Sequence, residues 1–514
     1  MGNNRENGTR LLLGIAIGLL GMAGFGCAPQ RDLQTVVMLI ESSPLNLDPR
    51  IGTDAQSQRI GALIFDSLLR SDRNFRLQPW LAESWETPDP LTYVFHLRQD
   101  VRFHDGRPLT ARDVRYTFTS LLSGEIPSLK AASFAQIDSI ETPDDATVVI
   151  RLKEPYASFP WNLTQGAIGI VPEGSAQEVA LQPVGSGPFR FVSAAQDEDV
   201  LLERNPDYWA TPPQIERVRF KVVPDATVRA LEMRKGSADL LLNSLSADMV
   251  EVLRQEESLE VVQQPGTNYQ YLAFNMENKD LTLPVRQAIA HGIDRQALIT
   301  YLWRDSVRPA NSILPPQHWA YEKDAPSYPY DPAKARRLLD AAGLAPGPDG
   351  VRLRLQMKTS TDQTTRELAA VFQEQLRQIG IALEIRSFEW ATFYGDVVRG
   401  RFDFYSLRWT GANNDPDIFE YCFHSAKQPP AGANRGRYSN PEADRLIEQG
   451  RASSDMEERR QHYSELQKVL NHDLPYIHLW YMDNVSLYNR RLSDPELFPT
   501  GNYQFLTTLR IASP

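Results

Sequence analysis

The run Trp409-Thr410-Gly411-Ala412-Asn413-Asn414-Asp415-Pro416-Asp417 concentrates side chains that could bind a small molecule. It offers an indole face, two side-chain amides and two carboxylates. A strand is predicted just before it, and ligands of open α/β sheets lie beyond the carboxyl ends of strands. We therefore predict that this loop lines a ligand site. The alternatives are core packing for the indole, and turn formation or helix capping for the carboxylates.

Signatures of catalysis are absent from the sequence. It contains no GxSxG, HExxH or GxxxxGK[ST] pattern. His104-Asp105 is explained by a turn before Gly106, and His424-Ser425 near Cys422 lacks a third group to orient it. The eight histidines include no HxH or HxxxH pair. We expect no enzyme activity, no metal site and no cofactor, and we expect Cys422 to be a buried apolar thiol.

The elements that would position the loop alternate between strand and helix. Strands are predicted at 353–357, 381–385 and 402–407, and helices at 366–378 and 390–399. Gly380 and Gly400 mark the helix ends. This alternation is typical of βαβ units with a largely parallel sheet. Further along the chain, 474–488 is aromatic-rich and strand-like.

Local signals also organise the first half of the chain. Residues 91–97 alternate as a half-buried strand, which Val101 and Phe103 are expected to continue after a break. Thr110 and Asp113 have the spacing of a capping box. Helices are predicted at 60–69, with one apolar face, and at 226–235, after the cap Asp225. The run Val184-Gly185-Ser186-Gly187-Pro188 predicts a structural turn and lacks the spacing of a nucleotide site.

Composition indicates an acidic, soluble globular protein with a targeting segment. The 514 residues carry a formal net charge of -11, which disfavours nucleic acid as a partner. Arg5 and Arg10 precede an uncharged stretch at 11–25 that is short for a membrane span. Residues 1–27 are typical of a signal peptide, and Gly26-Cys27 resembles a lipoprotein cleavage site. Lipidation at Cys27 is the prediction; cleavage without lipid and an uncleaved anchor are the alternatives.

Several motifs in order resemble one family. They are PWLAESW at 79–85, FHDG at 103–106, VGSGPF at 184–189, YDPAKARRLL at 330–339 and DPD at 415–417. Together they resemble the peptide/nickel-binding family of ABC-transporter substrate-binding proteins, also called extracellular solute-binding family 5. The resemblance covers roughly residues 36 to 500, because the motifs extend along most of the chain.

The resemblance implies an α/β, two-lobed type II periplasmic-binding-protein fold with an extra subdomain in lobe 1. Lobe 1 is expected at 28–270 with 489–514, the subdomain at about 60–180, and lobe 2 at 271–488. The implied function is capture of a peptide or peptide-like solute by lobe closure and delivery to an ABC permease in the membrane. A non-peptide solute, such as an oligosaccharide, and a sensor role are the alternatives. A periplasmic or extracytoplasmic monomer is expected, anchored through Cys27.

The resemblance also implies which residues line the cleft. They are Trp409, Asn413, Asn414, Asp415, Asn46, Tyr271 and Asn275. One position departs from the family, because peptide-binding members carry an Asp after Gly411 that pairs with the ligand's α-ammonium. Ala412 occupies that position here, and a methyl group cannot neutralise a buried cation. Either another carboxylate such as Asp415 takes over, or the ligand lacks a free amino terminus.

Overall fold

The strands of the computed structural model follow the hydrophobic patterns of the sequence. The structure describes residue 32 and residues 34–164, 166–411 and 414–512. The described residues from 34 onward form one compact unit. The strands are β1 (Thr35–Ile40), β2 (Leu69–Ser71), β3 (Leu77–Pro79), β4 (Ala82–Asp89), β5 (Thr92–Leu97), β6 (Ile137–Glu141), β7 (Thr147–Leu152), β8 (Phe189–Ala195), β9 (Asp199–Arg204), β10 (Arg217–Val222), β11 (Leu240–Leu242), β12 (Leu259–Phe274), β13 (Val307–Pro309), β14 (Leu353–Ser360), β15 (Ile381–Phe388), β16 (Phe404–Trp409) and β17 (Tyr476–Asn489).

The helices pack on the sheets through their apolar faces. They are α1 (Ala55–Ile64), α2 (Ala111–Leu122), α3 (Ala226–Lys235), α4 (Ala247–Leu253), α5 (Leu283–Gly292), α6 (Arg295–Tyr301), α7 (Pro332–Ala341), α8 (Gln363–Arg377), α9 (Trp390–Val398), α10 (Ile418–Phe423), α11 (Pro441–Ala452) and α12 (Met456–Asp473). As predicted, the strand–helix alternation after residue 353 gives parallel pairing of β14 with β15 and β16.

A long mixed sheet runs through the molecule, in the order β15-β14-β16-β12-β17-β11-β1-β10-β9-β8 with β13 beside β17. The 16-residue strand β12 pairs antiparallel with β17 along most of its length. Its register shifts between Gln264 and Asn268 and again at Gln270/Tyr271. The predicted lobe boundary at 270–271 falls at the second shift and stays a prediction.

The two faces of β12 are buried in different cores. Leu272 and Phe274 pack with residues of α5, α7 and α8, whereas Tyr271 and Ala273 pack with residues of α10, α11 and α12. Successive side chains of a strand point to opposite faces, so a strand covered on both sides is apolar or aromatic throughout. The face that carries Tyr271 is rich in tyrosines. Trp409, at the start of the candidate loop (residues 409–417), packs against the same core.

A separate antiparallel sheet of order β4-β5-β7-β6 has its own core with α2. The capping box predicted at the start of α2 is confirmed, with the Thr110 amide donating to the Asp113 carboxylate at 2.7 Å. The predicted extension of β5 by Val101 and Phe103 is wrong, because only an isolated bridge between Arg102 and Pro108 forms there.

Aspartate caps determine where α1 and α3 begin. Asp225 caps α3 by accepting from the Val228 amide at 2.9 Å, as predicted. The helix predicted at 60–69 instead begins at Ala55, because Asp54 accepts from the Ser57 amide at 2.9 Å. It ends at Ile64, where Phe65 becomes extended.

The glycine turn before β8 is structural, as predicted. The Gly187 amide donates to the Ile64 carbonyl at 2.8 Å, which brings the turn against the end of α1. A Cβ on Gly185 would lie 2.0 Å from the Ile64 oxygen, so only glycine fits. The His104 ring contacts the Gly187 carbonyl at 3.0 Å, and burial lowers the pKa of this histidine to about 4. His104 therefore holds the turn.

Candidate functional site

The candidate loop leaves the carboxyl end of β16 and leads into α10. Ala412 and Asn413 lie outside the described residues, so the predictions on them concern the sequence alone. On either side of them, Trp409 is half-buried and Asp415 is buried. The two ends of the loop contact different parts of the protein.

The Asp415 carboxylate is occupied by protein groups. Arg459 donates to both of its oxygens at 3.1 and 3.2 Å, and the Ser158 hydroxyl donates at 2.6 Å. Arg459 is 1% exposed and Asp415 8%, so this is a buried ion pair. Ser158 also accepts from Arg459, at 2.9 Å. Ser158 lies in the predicted first lobe and the ion pair in the predicted second, so the three side chains join the two parts of the chain.

Asp417 makes a second connection beside the first. Its carboxylate accepts from the Tyr156 hydroxyl at 2.9 Å and from Arg451 at 2.6 Å. Burial raises the pKa of the Asp417 carboxyl, and the positive charge of Arg451 opposes that rise. Its side chain does not cap α10. The Asp415 carboxylate instead accepts from the Asp417 amide at 2.9 Å, which is the turn role that the sequence left open.

Aromatic rings surround the Asp415–Arg459 ion pair. The Arg459 guanidinium lies 4.9 Å from the Trp161 ring and 5.3 Å from the Trp319 ring. Phe75 stacks on His318 at 5.3 Å. These contacts also link the predicted lobes. An open cavity of about 450 Å³ lies beside them, lined in part by Trp161, Trp319 and Arg459.

His318 fixes the backbone of Asn414. Its Nδ1 accepts from the Ala320 amide at 3.0 Å, so Nε2 carries the proton and donates to the Asn414 carbonyl at 3.3 Å. Burial lowers the pKa of His318 to about 4, and the ring is therefore neutral at pH 7. The Asn414 Oδ1 atom is buried, and no group in the described ranges of the chain forms a hydrogen bond with it.

Two other predicted site residues, Tyr271 and Trp409, meet at Arg435. Arg435 donates to the Tyr271 hydroxyl at 3.4 Å and to the Tyr394 hydroxyl at 3.0 Å. Its guanidinium carbon lies 5.1 Å from the centre of the Trp409 ring. Tyr271 itself is fully buried and stacks on Tyr476 at 4.4 Å. Arg435 thus connects the tyrosine-rich core to the candidate loop.

The hydrogen bonds of Asn46 and Asn275 lie away from the loop. The Asn46 side chain accepts from the Asp48 amide at 2.8 Å, within its own turn. The side-chain amide of Asn275 donates to the carbonyls of Gly400 at 3.1 Å and Phe402 at 3.0 Å, which holds the turn before β16. The structure therefore brings Tyr271 and Trp409 together and gives the two asparagines local contacts. Their predicted ligand contacts stay predictions.

Sequence reasoning missed the partners of the loop. They are Tyr156, Ser158, His318, Tyr394, Arg435, Arg451 and Arg459. Most lie on helices or loops with no motif of their own. The run Asn434-Arg435-Gly436-Arg437 holds two arginines in one loop, which marks a cationic segment but does not show which arginine is buried.

The structure also shows the surroundings of other groups that could do chemistry. Cys422 is buried, as predicted, and burial raises the pKa of its thiol. Within the described ranges, no group of three or more His, Cys, Asp and Glu side chains could hold a metal ion. In the same ranges, no helix is long and apolar enough to cross a membrane.

A family profile described as "Bacterial extracellular solute-binding proteins, family 5 Middle" matches residues 76–429. That range is more than half of the chain, and it includes the separate sheet, the tyrosine-rich strand β12 and the candidate loop. The chain belongs to family 5 of the bacterial extracellular solute-binding proteins. The resemblance seen in the motifs is therefore confirmed.

The sequences of two relatives align with nearly the whole chain. Di/tripeptide-binding protein 1 of Pseudomonas aeruginosa (strain UCBPP-PA14) is 29% identical over 490 residues, which cover 89% of this chain and 90% of that protein. Heme-binding protein A of Haemophilus influenzae (strain ATCC 51907 / DSM 11121 / KW20 / Rd) is 28% identical over 483 residues, covering 88% and 87%.

A solved structure confirms the fold of this family 5 protein. The ABC transporter-associated periplasmic binding protein DppA from Helicobacter pylori, in complex with the peptide STSA, superposes with a TM-score of 0.74 at 26% identity. The match covers 93% of this chain and 98% of that one. The predicted fold class, a two-lobed type II periplasmic-binding-protein fold of the α/β class, is therefore correct.

Proposed function

We propose that the protein is the extracytoplasmic substrate-binding protein of an ABC importer. It captures a peptide or peptide-like solute by lobe closure and delivers it to a membrane permease. The observation that carries this proposal is the contact of Tyr156 and Ser158 with Asp417, Asp415 and Arg459, directly beside the candidate loop. The peptide-binding relatives support the ligand class.

Closure would follow from contacts that the ligand makes with both lobes only in the closed form. Trp409 and Tyr271 with its partner Arg435 would provide one wall, and Asn413 and Asn414 would provide amides. Asp415 would position the loop through Arg459, since its carboxylate already has protein partners. Asn46 and Asn275 are proposed as residues at the rim of the site.

The protein acts as a binding protein without catalysis and as a monomer. Residues 1–27 form the signal-peptide region, cleavage occurs before Cys27, and Cys27 carries the lipid anchor on the extracytoplasmic face of a membrane. The lobes and the extra subdomain have the boundaries given for the sequence.

The binding function is tested by titrating the mature protein with a panel of di- and tripeptides in a calorimeter. Small-angle X-ray scattering at saturation should give a smaller radius of gyration, because the lobes close. Mass spectrometry of the ligand after incubation should return the starting mass. Hydrolysed peptide would show an enzyme, and an unchanged radius would exclude closure.

Replacing Cys27 with serine should release the protein from the membrane fraction, because the thioether-linked lipid can no longer form. Metabolic labelling with palmitate and fractionation of cells measure this. The wild type should be labelled and sediment with membranes, and Cys27→Ser should be unlabelled. A labelled Cys27→Ser protein, or an unlabelled wild type, would refute the anchor.

Replacing Ala412 with aspartate should improve affinity for peptides with a free amino terminus. A charge-assisted pair contributes about 1.5–3 kcal/mol, which is roughly 10- to 100-fold in the dissociation constant. Calorimetry with one tripeptide and its N-acetylated form measures the effect, and the acetylated form is the control that should not gain. Unchanged or weaker binding of the free peptide would contradict this interpretation of Ala412.

A further inference from the structure

Arg435 differs from the other buried arginines near the sheets. It is 8% exposed. Arg50 and Arg459 each form an ion pair with an aspartate, Asp48 and Asp415 respectively. Arg229 and Arg286 instead donate to backbone carbonyls. In the part of the chain that the structure describes, no carboxylate forms an ion pair with Arg435, and its side-chain hydrogen bonds go to two neutral phenols.

The carboxylates of the candidate loop and of α10 already form ion pairs with other cationic side chains. Asp415 pairs with Arg459, and Asp417 pairs with Arg451. Glu420 pairs with Lys427 at 2.9 Å. A buried guanidinium without an anion is costly, and two phenolic oxygens use only part of its five N–H donors. The positive charge of Arg435 therefore lacks compensation within the described residues.

A second donor without an acceptor lies beside this cation. The Nε1–H group of Trp409 is buried and has no hydrogen-bond partner among the described residues. The ring that carries it is the one 5.1 Å from the Arg435 guanidinium carbon. A buried donor is normally satisfied, so an unsatisfied indole N–H next to an uncompensated guanidinium indicates that an acceptor is to be supplied from outside.

The same place is reachable from the surface. Trp409 and Tyr394 are only half-buried, and Trp390, which stacks on Tyr394 at 5.7 Å, is 53% exposed. The Arg435 guanidinium also lies 5.3 Å from the Tyr394 ring. Its polar end is thus bordered by rings that reach solvent, and these could enclose a bound molecule.

We propose that Arg435, with the indole N–H of Trp409, binds a carboxylate of the captured solute and selects ligands that carry one. The inference rests on the proposed function and specifies its ligand class: a peptide or peptide-like molecule with a free carboxylate. Arginine suits this role because its planar fork can donate two parallel hydrogen bonds to a carboxylate.

The test compares tri-alanine with tri-alanine amide, which lacks the carboxylate, by calorimetry on the mature protein. Wild type should prefer the free carboxylate about 10- to 100-fold, from the strength of charge-assisted hydrogen bonds. Arg435→Met should abolish that preference, and Arg435→Lys should retain a smaller one. Arg437→Met is the matched control, because Arg437 lies in the same loop but pairs with Glu277. Equal binding of both peptides by wild type would overturn the proposal.

A second readout separates a structural role from a ligand role. Without ligand, Arg435→Met should be at least as stable to heat as wild type, because it removes an uncompensated buried charge. N-acetylglycine should raise the melting temperature of wild type and of Arg437→Met, but not of Arg435→Met. A large loss of stability in ligand-free Arg435→Met would assign a structural role instead.

The outcomes also separate this proposal from peptide capture. If tri-alanine and its amide bind equally well, peptide capture stands and the carboxylate site is wrong. If neither peptide binds but N-acetylglycine stabilises wild type through Arg435, the carboxylate site stands and peptide capture is wrong. If neither peptide binds and N-acetylglycine has no effect, both are wrong.

Discussion

Asp415→Ala is expected to lower the free energy of unfolding by roughly 3–5 kcal/mol, the usual effect of removing one partner of a buried ion pair. The substitution leaves Arg459, 1% exposed, without its carboxylate. It also removes the acceptor of the Ser158 hydroxyl and of the Asp417 amide. Urea unfolding of the ligand-free protein measures the change.

A double-mutant cycle with Arg459→Met isolates the pair. The double variant should lose less stability than the two single variants together, by at least about 1 kcal/mol, because neither charge is left alone. Arg460→Met is the control, since Arg460 is exposed and pairs with Glu457 on the same helix; its effect should stay within about 0.5 kcal/mol. If Asp415→Ala weakened peptide binding but left the unfolding free energy unchanged, Asp415 would be a ligand residue rather than a structural one.

Asp66 should make the protein less stable at pH 7 than at pH 4. Its fully buried carboxylate accepts from Trp80 at 2.8 Å, Trp209 at 3.0 Å, and Tyr208 and Ser186 both at 3.1 Å. These donors are neutral, and burial raises the pKa of Asp66 from 3.8 to about 6. The folded state therefore binds more protons than the unfolded state between these values, and stability falls as the pH rises.

The expected size between pH 4 and pH 7 is about 2.5 kcal/mol, from slightly less than two pKa units. Urea unfolding of wild type and Asp66→Asn at pH 4 and pH 7 measures it: the stability of wild type relative to the variant should be lower at pH 7 by that amount. Asp89→Asn is the control with the opposite sign, because hydrogen bonds from the backbone lower the pKa of Asp89. If the difference in unfolding free energy between wild type and Asp66→Asn did not change with pH, the raised pKa of Asp66 would be contradicted.

Local patterns in the sequence were sufficient to predict much of the fold. The caps at Asp225 and Thr110 depend on residues three positions apart, and both were correct. The strand–helix alternation that ends in β16 was likewise readable, because each element has its own hydrophobic period. The α1 boundaries were wrong, because the cap at Asp54 precedes the apolar stretch on which the prediction was based.

The chemistry of the candidate site was only partly readable, because its partners are distant in sequence. The side-chain types of the loop were clear, but Asp415 meets Ser158 across 257 positions and Arg459 across 44. No spacing rule connects such residues. Arg435 and Arg437 look equivalent in sequence, yet one lies against tyrosines and the other pairs with Glu277. Which charges are free for a ligand is decided by tertiary contacts.

Native mass spectrometry of the mature protein tests peptide capture most directly. The chain is expressed without residues 1–27, purified, incubated with a tryptic digest of casein and sprayed without denaturation. We predict a series of bound masses that differ by amino-acid residues and disappear when the protein is unfolded. A protein that stays empty, or one that carries a single mass without amino-acid fragments, would contradict capture of peptides.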